Sequence, residues 1–192
     1  MENTAMDYTV QEFTVTLPGE DYIKRFRNAG LIMQRCMECD NYGCSWTCPP
    51  FDHDIENELR QYSNVSLTAI KMIPGRKDIP ISEVFGFMRP ERMRIDRRML
   101  EIERRHGGKY LAFSGKCMYC PEGRCVRSAG LPCRHPDLVR PSLEAYGFDV
   151  ARTVSELFGF DILWSSDGFL PEYITIVTGL FHNNDSMNII GS

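Results

Sequence analysis

The chain has 192 residues, 43% hydrophobic and 25% charged, with a formal net charge of −4, which is ordinary for a soluble one-domain protein able to bury a sizeable core. The acidic balance argues against a general polyanion binder, so a nucleic-acid partner is not expected. No apolar run reaches membrane-spanning length: the longest candidate, Ile174 to Phe181, is interrupted by Thr175, Thr178 and Gly179, and the expected compartment is the cytoplasm.

In chain order, Tyr8 to Leu17 carries Val10, Phe13, Val15 and Leu17 among threonines and reads as a strand with an irregularity near Gln11 and Glu12, ended by Pro18-Gly19. Glu20 to Ala29 places Tyr22, Ile23 and Phe26 on one helical face and stops at Gly30. Leu31-Ile32-Met33 then leads into a cysteine-rich stretch that ends at Pro49-Pro50. Beyond it Asp52 is placed to cap a helix with Ile55, Leu59 and Tyr62 at i, i+4 and i+7, its first turn holding Asp54 and Glu56. Val65 to Ile73 is β-branched and apolar, a buried strand ended by Pro74-Gly75. Arg76 to Met88 gives no clean period: Ile79-Pro80-Ile81 is extended, and Glu83 to Phe87 is open between short helix and loop.

Pro90 to His106 is the clearest helix, with Pro90 suited to its first turn, Ile95, Met99, Ile102 and His106 on one stripe, and Gly107-Gly108 at its end. Arg89, Arg92, Arg94, Arg97, Arg98, Arg104, Arg105 and Lys109 face only Glu91, Asp96, Glu101 and Glu103 there, a basic segment in an acidic chain. A solvated face with internal ion pairs is the favoured reading, ahead of a docking face for an acidic partner or compensation for nearby cluster charge. Tyr110 to Ser114 reads as a strand delivering a second cysteine loop, whose Pro121, Gly123, Gly130, Pro132 and Pro136 imply irregular backbone. Ser142 to Tyr146 is a capped turn stopped by Gly147, and Asp149 caps a helix with Val150, Val154 and Leu157 inward and Gly159 at its end. Asp161 to Trp164 reads as a short strand, Ser165 to Gly168 as a turn, Tyr173 to Leu180 as a closing strand, and 183–192 as a loose tail. The expected fold is α+β over 1–192. A mostly antiparallel sheet from residues 8–17, 65–73, 110–114 and 172–181 carries packed helices and two metal-binding cysteine loops (36–48 and 117–133) at one end.

Those loops contain all eight cysteines. Cys36, Cys39, Cys44 and Cys48 follow C-x2-C-x4-C-x3-C-P, and Cys117, Cys120, Cys125 and Cys133 follow C-x2-C-x4-C-x7-C, so the same opening recurs 81 residues later. A short turning backbone of this kind converges thiolates on one metal centre. Cys44-x3-Cys48-Pro49 reproduces the end of a bacterial ferredoxin run, although the middle gap is four residues instead of two. Zinc also accepts four thiolates and shares the C-x2-C opening; iron–sulfur is favoured, with zinc left open. Disulfides are disfavoured because the residues at Met1-Glu2-Asn3-Thr4 carry no secretory pattern. The shared opening allows a pseudo-twofold relation, with Cys48 or Cys133 serving the opposite centre as in two-cluster ferredoxins. His53 and His135 follow the two quartets closely enough to enter a metal shell but are read as surface or capping residues. His106 reads as a helix-end cation and His182 as a strand-end residue. No catalytic triad, P-loop or dinucleotide fingerprint is visible.

Cys36-x2-Cys39-x2-Tyr42-Gly43-x2-Trp46-x-Cys48-Pro49-Pro50, together with Cys133-Arg134-x-Pro136-x3-Arg140-Pro141-Ser142-x-Glu144-Ala145-x-Gly147, resembles a prokaryotic family of unknown function described as predicted metal-binding proteins. The resemblance implies metal binding by the cysteines and assigns no biochemical role. Cys44 falls where the resemblance does not require cysteine, which leaves a three-cysteine first site open. The functional expectation is an iron–sulfur protein with two [4Fe–4S] clusters, an electron carrier or redox accessory to a protein partner, with Trp46, Tyr42 and Tyr119 as lids excluding water. The alternatives are a zinc-stapled interaction module and an enzyme with an open iron site on one cluster.

Overall fold

The computed structural model describes residues 7–120 and 124–184. Met1 to Thr4, Pro121 and Gly123, and the expected tail from residue 185 onward lie outside them. Four strands form one antiparallel sheet in the order β1-β2-β4-β3. β1 (Tyr8–Pro18) pairs with β2 (Asn64–Pro74) without interruption, from Tyr8 opposite Pro74 to Pro18 opposite Asn64. The irregularity expected at Gln11 and Glu12 is therefore absent. Glu12 keeps its place in the ladder because its carboxylate meets Arg94 and Arg98 on the helix packed against that face.

The central strands are β2 and β4 (Ile174–His182). Alternation along them feeds two cores. Val65, Leu67, Ala69, Val177 and Phe181 join Tyr22, Phe26, Phe148 and Val154 on one face, whereas Ile70, Met72, Ile174, Ile176 and Leu180 join Phe87, Ile95 and Met99 on the other. Cover on both faces explains why β2 reads as a nearly unbroken apolar run. The first face is covered by α1 (Gly19–Phe26) and α5 (Val150–Phe158), the second by α4 (Val84–His106).

Helix boundaries depart from expectation where long-range bonds intervene. α1 stops at Phe26 because Arg27 is extended and bridges Phe148, and Asn28 then caps a further helix, α2 (Ala29–Met37), its Oδ1 accepting from the Leu31 N–H at 3.2 Å. Gly30 thus lies inside the first turn of α2 instead of ending α1. The Asn28 N–H also donates to the Gly147 carbonyl (2.8 Å), where φ is +88° and an added Cβ would stand 2.9 Å from Ala29 Cα. A side chain there meets both the left-handed backbone penalty and a steric clash. α3 (Ile55–Leu59) is capped by Asp54 in place of Asp52. α4 begins six residues before Pro90, because Phe87 is buried in the core and a 3-10 turn at Ile81–Glu83 leads into it; Pro90 lies inside the helix. β3 (Lys109–Leu111) is shorter than expected, since Ala112 leaves the sheet to bridge Ser142. Asp161 to Trp164 is irregular and not a strand. The turn at Ser142, ended by Gly147, and the Asp149 and Gly159 caps of α5 are as expected.

Candidate metal centre

The first cysteine loop starts inside a helix: Cys36 occupies the last turn of α2. Tight turns then follow one another, with the Cys39 N–H donating to the Cys36 carbonyl (3.1 Å), Tyr42 to Cys39 (3.0 Å), Cys44 to Asn41 (3.1 Å) and Cys48 to Ser45 (3.1 Å). Gly43 adopts φ +67° and donates to the Pro49 carbonyl (2.8 Å), closing the loop on itself. The second loop is launched from Ser114 and Lys116, whose carbonyls accept from Arg92 Nη2 (3.2 and 3.3 Å). It contains a 3-10 turn at Val126–Ala129, between Cys125 and Cys133.

The two loops lie against each other. Arg127 donates to the carbonyls of Ser45 (2.7 Å), Cys48 and Pro50, and its guanidinium lies 5.2 Å from the Trp46 ring centroid. Trp46 Nε1 returns a bond to the Leu131 carbonyl (3.0 Å). Residues inside one cysteine motif therefore fasten the backbone of the other. Trp46, expected as a lid, is a strut between the loops.

All eight thiols are free; Cys39 and Cys44 are exposed and the other six partly buried. Burial pushes the Cys36 thiol up, and Cys48, Glu144 and Cys39 add to the shift. Burial also raises Cys48, with Cys39 adding and Thr47, Ser45 and Arg127 opposing. Burial raises Cys117, where Cys120, Cys125 and Cys133 add and the Tyr119 backbone opposes. Among the described residues, no three His, Cys, Asp or Glu side chains converge closely enough to hold a metal ion.

The donor set nonetheless suits a thiolate-bound metal. Soft sulfurs are supplied with polar neighbours: Asn41 Nδ2 lies 3.7 Å from Cys39 Sγ, Thr47 Oγ1 3.9 Å from Cys48 Sγ, and the His135 N–H 3.4 Å from Cys133 Sγ. Such donors favour thiolate over thiol and orient it.

Sequence reasoning missed the anchor of the second loop. Asp96 of α4, 4% exposed, accepts from Tyr110 Oη and Tyr119 Oη, each at 2.8 Å. Tyr119 lies between Cys117 and Cys120, so this carboxylate ties the loop to the helix and makes Tyr119 an anchor. The available signal was its place beside Ile95 and three residues before Met99, on the inward stripe, where a carboxylate needs partners. Of the histidines, His53 Nε2 lies 3.2 Å from Tyr146 Oη and 3.3 Å from the Glu58 carboxylate. His182, at the end of β4, is buried with Nε2 2.8 Å from Ser66 Oγ. The basic helix spends much of its charge internally: Arg94 pairs with Glu91 and Glu12, Arg98 with Glu12, Arg105 with Glu101, and Arg140 reaches back to Glu103.

The fold and these loops define an α+β protein with eight free cysteines in two loops that are bonded to each other. The model of the family described as predicted metal-binding protein (DUF2284) matches residues 26–181, and the chain belongs to that family. No curated protein and no solved structure matches it. No helix among the described residues is long and apolar enough to cross a membrane.

Proposed function

We propose that the two loops each hold a [4Fe–4S] cluster, one on Cys36, Cys39, Cys44 and Cys48 and the other on Cys117, Cys120, Cys125 and Cys133, and that the protein carries electrons to or from a protein partner, as carrier or redox accessory. The observation that carries this reading is the placement of eight free cysteines in two loops with the same opening interval, held in mutual contact by Arg127 and Trp46. Bound clusters of this type supply one-electron chemistry whose potential follows burial, hydrogen bonds to sulfur and nearby charge. The chain's own residues provide those controls: Arg127 sets positive charge beside Cys48, Asn41 and the His135 amide offer donors to sulfur, and Asp96 fixes the turn between Cys117 and Cys120.

Protein purified without oxygen is expected to be brown and to carry about eight iron and eight acid-labile sulfide per chain, as two cubane clusters require. Dithionite is expected to bleach it and to produce a paramagnetic signal. A colourless preparation with two zinc ions overturns the cluster reading and leaves closed four-thiolate structural sites in its place.

A further inference from the structure

The sheet has two edges of opposite kinds. β3 is three residues long, with Tyr110 and Leu111 buried. β1, at the other edge, runs for eleven residues, and none of them is buried. Natural sheets blunt such an edge with a bulge, an internal lysine or proline, an unpaired inward charge or a covering segment. Along β1 the ladder with β2 is unbroken, no lysine occurs, Pro18 stands only at the end, and the one charge, Glu12, is neutralised by Arg94 and Arg98. Among the described residues, no strand pairs with its outer side and no backbone bond from another element reaches it there.

The bonds at the two ends of the ladder fix which backbone groups face outward. The Gly75 N–H donates to the Asp7 carbonyl (2.8 Å) and the Gly19 N–H to the Ser63 carbonyl (2.9 Å), both in the register of β1 on β2. Opposite residues of an antiparallel pair alternate between bonded and non-bonded, so the odd-numbered residues of β1 bond to β2. The even-numbered ones, Tyr8, Val10, Glu12, Thr14 and Thr16, turn their N–H and C=O groups outward. Such a row is a template for a further strand. A second β1, antiparallel about a twofold axis, must set outward residues against outward residues, so the axis passes through a residue and not between two. An axis at Glu12 opposes two carboxylates, and one at Thr14 leaves Tyr8 beyond the partner's end. An axis at Phe13 sets Glu12 against Thr14 and Val10 against Thr16. It also makes the two Phe13 rings a non-bonded pair, with Cα atoms about 4.5 Å apart, and extends the contact that each ring makes with Phe160 at 5.3 Å.

We infer that two copies of this chain join edge to edge through β1, antiparallel and centred on Phe13, so that their four-stranded sheets become one. The second cysteine loop is launched from beyond β3, at the opposite edge. The union therefore stands apart from that loop and does not depend on which metal it holds.

Sedimentation velocity of the full chain, purified without oxygen and taken from micromolar to several hundred micromolar, tests this. A species of twice the chain's 22.1 kDa is expected. Thr14→Pro removes an outward N–H and none that bonds to β2, a placement edge strands tolerate, and is expected to give single chains with unchanged metal content. Because proline also stiffens the strand, two double variants serve beside it. Val10 and Thr16 are both exposed on β1 and lie about 20 Å apart along the strand, so their side chains meet only across the proposed interface. Val10→Glu with Thr16→Glu sets like charges opposite, and Val10→Glu with Thr16→Lys sets unlike ones; both lose the Thr16–Ser66 bond equally. The first is expected to dissociate at least tenfold more readily than the second, with the gap narrowing in high salt. The inference is overturned if the unmodified chain has the single mass throughout, which leaves the edge to residues outside the described ones or to another protein. It is overturned equally if folded Thr14→Pro keeps the double mass, or if the two double variants dissociate alike.

Discussion

Cys44 is exposed, and substitution reads its role. Cys44→Ala, like Cys36→Ala or Cys48→Ala, is expected to lose about half of the iron and sulfide, the share of one cluster in two; iron and sulfide analysis of the three variants decides. Full retention by Cys44→Ala alone would leave a three-cysteine first site. Asp96 offers a second residue-level test. Removing its carboxylate with Asp96→Ala strands the hydroxyls of Tyr110, which is fully buried, and Tyr119. The expected cost is about 2–4 kcal/mol in denaturant unfolding, most of it from leaving buried donors unpaired. Tyr119→Phe removes one of the two donors and leaves Asp96 Oδ2 without it, at an expected cost of about 1–3 kcal/mol.

Among the elements, β1 and α4 are joined by the Glu12 carboxylate, by a bond from Tyr8 to Glu91 and by the Tyr8–Phe87 ring contact. Burial alone would raise Glu12, but Arg98 and Arg94 outweigh it and hold its carboxyl below the ordinary value. A depressed folded pKa contributes stability that is complete above the unfolded value and is lost as pH falls through the folded one. Glu12→Gln is therefore expected to cost about 1–2 kcal/mol near pH 7 and much less near pH 3, a difference visible in urea midpoints at the two pH values. The same scale shows why some elements were legible in the chain and others not. Asp149, Gly159, Ser142 and Gly147 act on residues a few positions away, so their caps and stops could be read directly. β2 was legible because cover on both faces leaves an unbroken apolar run. The break between α1 and α2 was not, because Arg27 is held extended by Phe148 and Asn28 is bonded to Gly147, both more than a hundred residues later. The early start of α4 likewise depends on burial of Phe87, which no local period announces.

For the whole molecule, the cysteine intervals disclosed two loops, but nothing local disclosed that they would meet. The partners of Arg127 and Trp46 lie 77 to 85 residues away, and loop residues without periodic pattern give no hint of such crossings. Among the described residues of 38–50 and 116–135, only Ser45, Pro49 and Val126 are buried, so these crossings do for the loops what an apolar core does for the sheet. One consequence concerns the order of assembly. If each loop takes its shape from the other, a chain charged at one centre only has half its scaffold in place and gains little over an empty one. Maturation is then expected to be cooperative: with iron and sulfide supplied for half the chains, native mass spectrometry should find empty and doubly charged molecules outnumbering singly charged ones, and Arg127→Met should bring the intermediate species up.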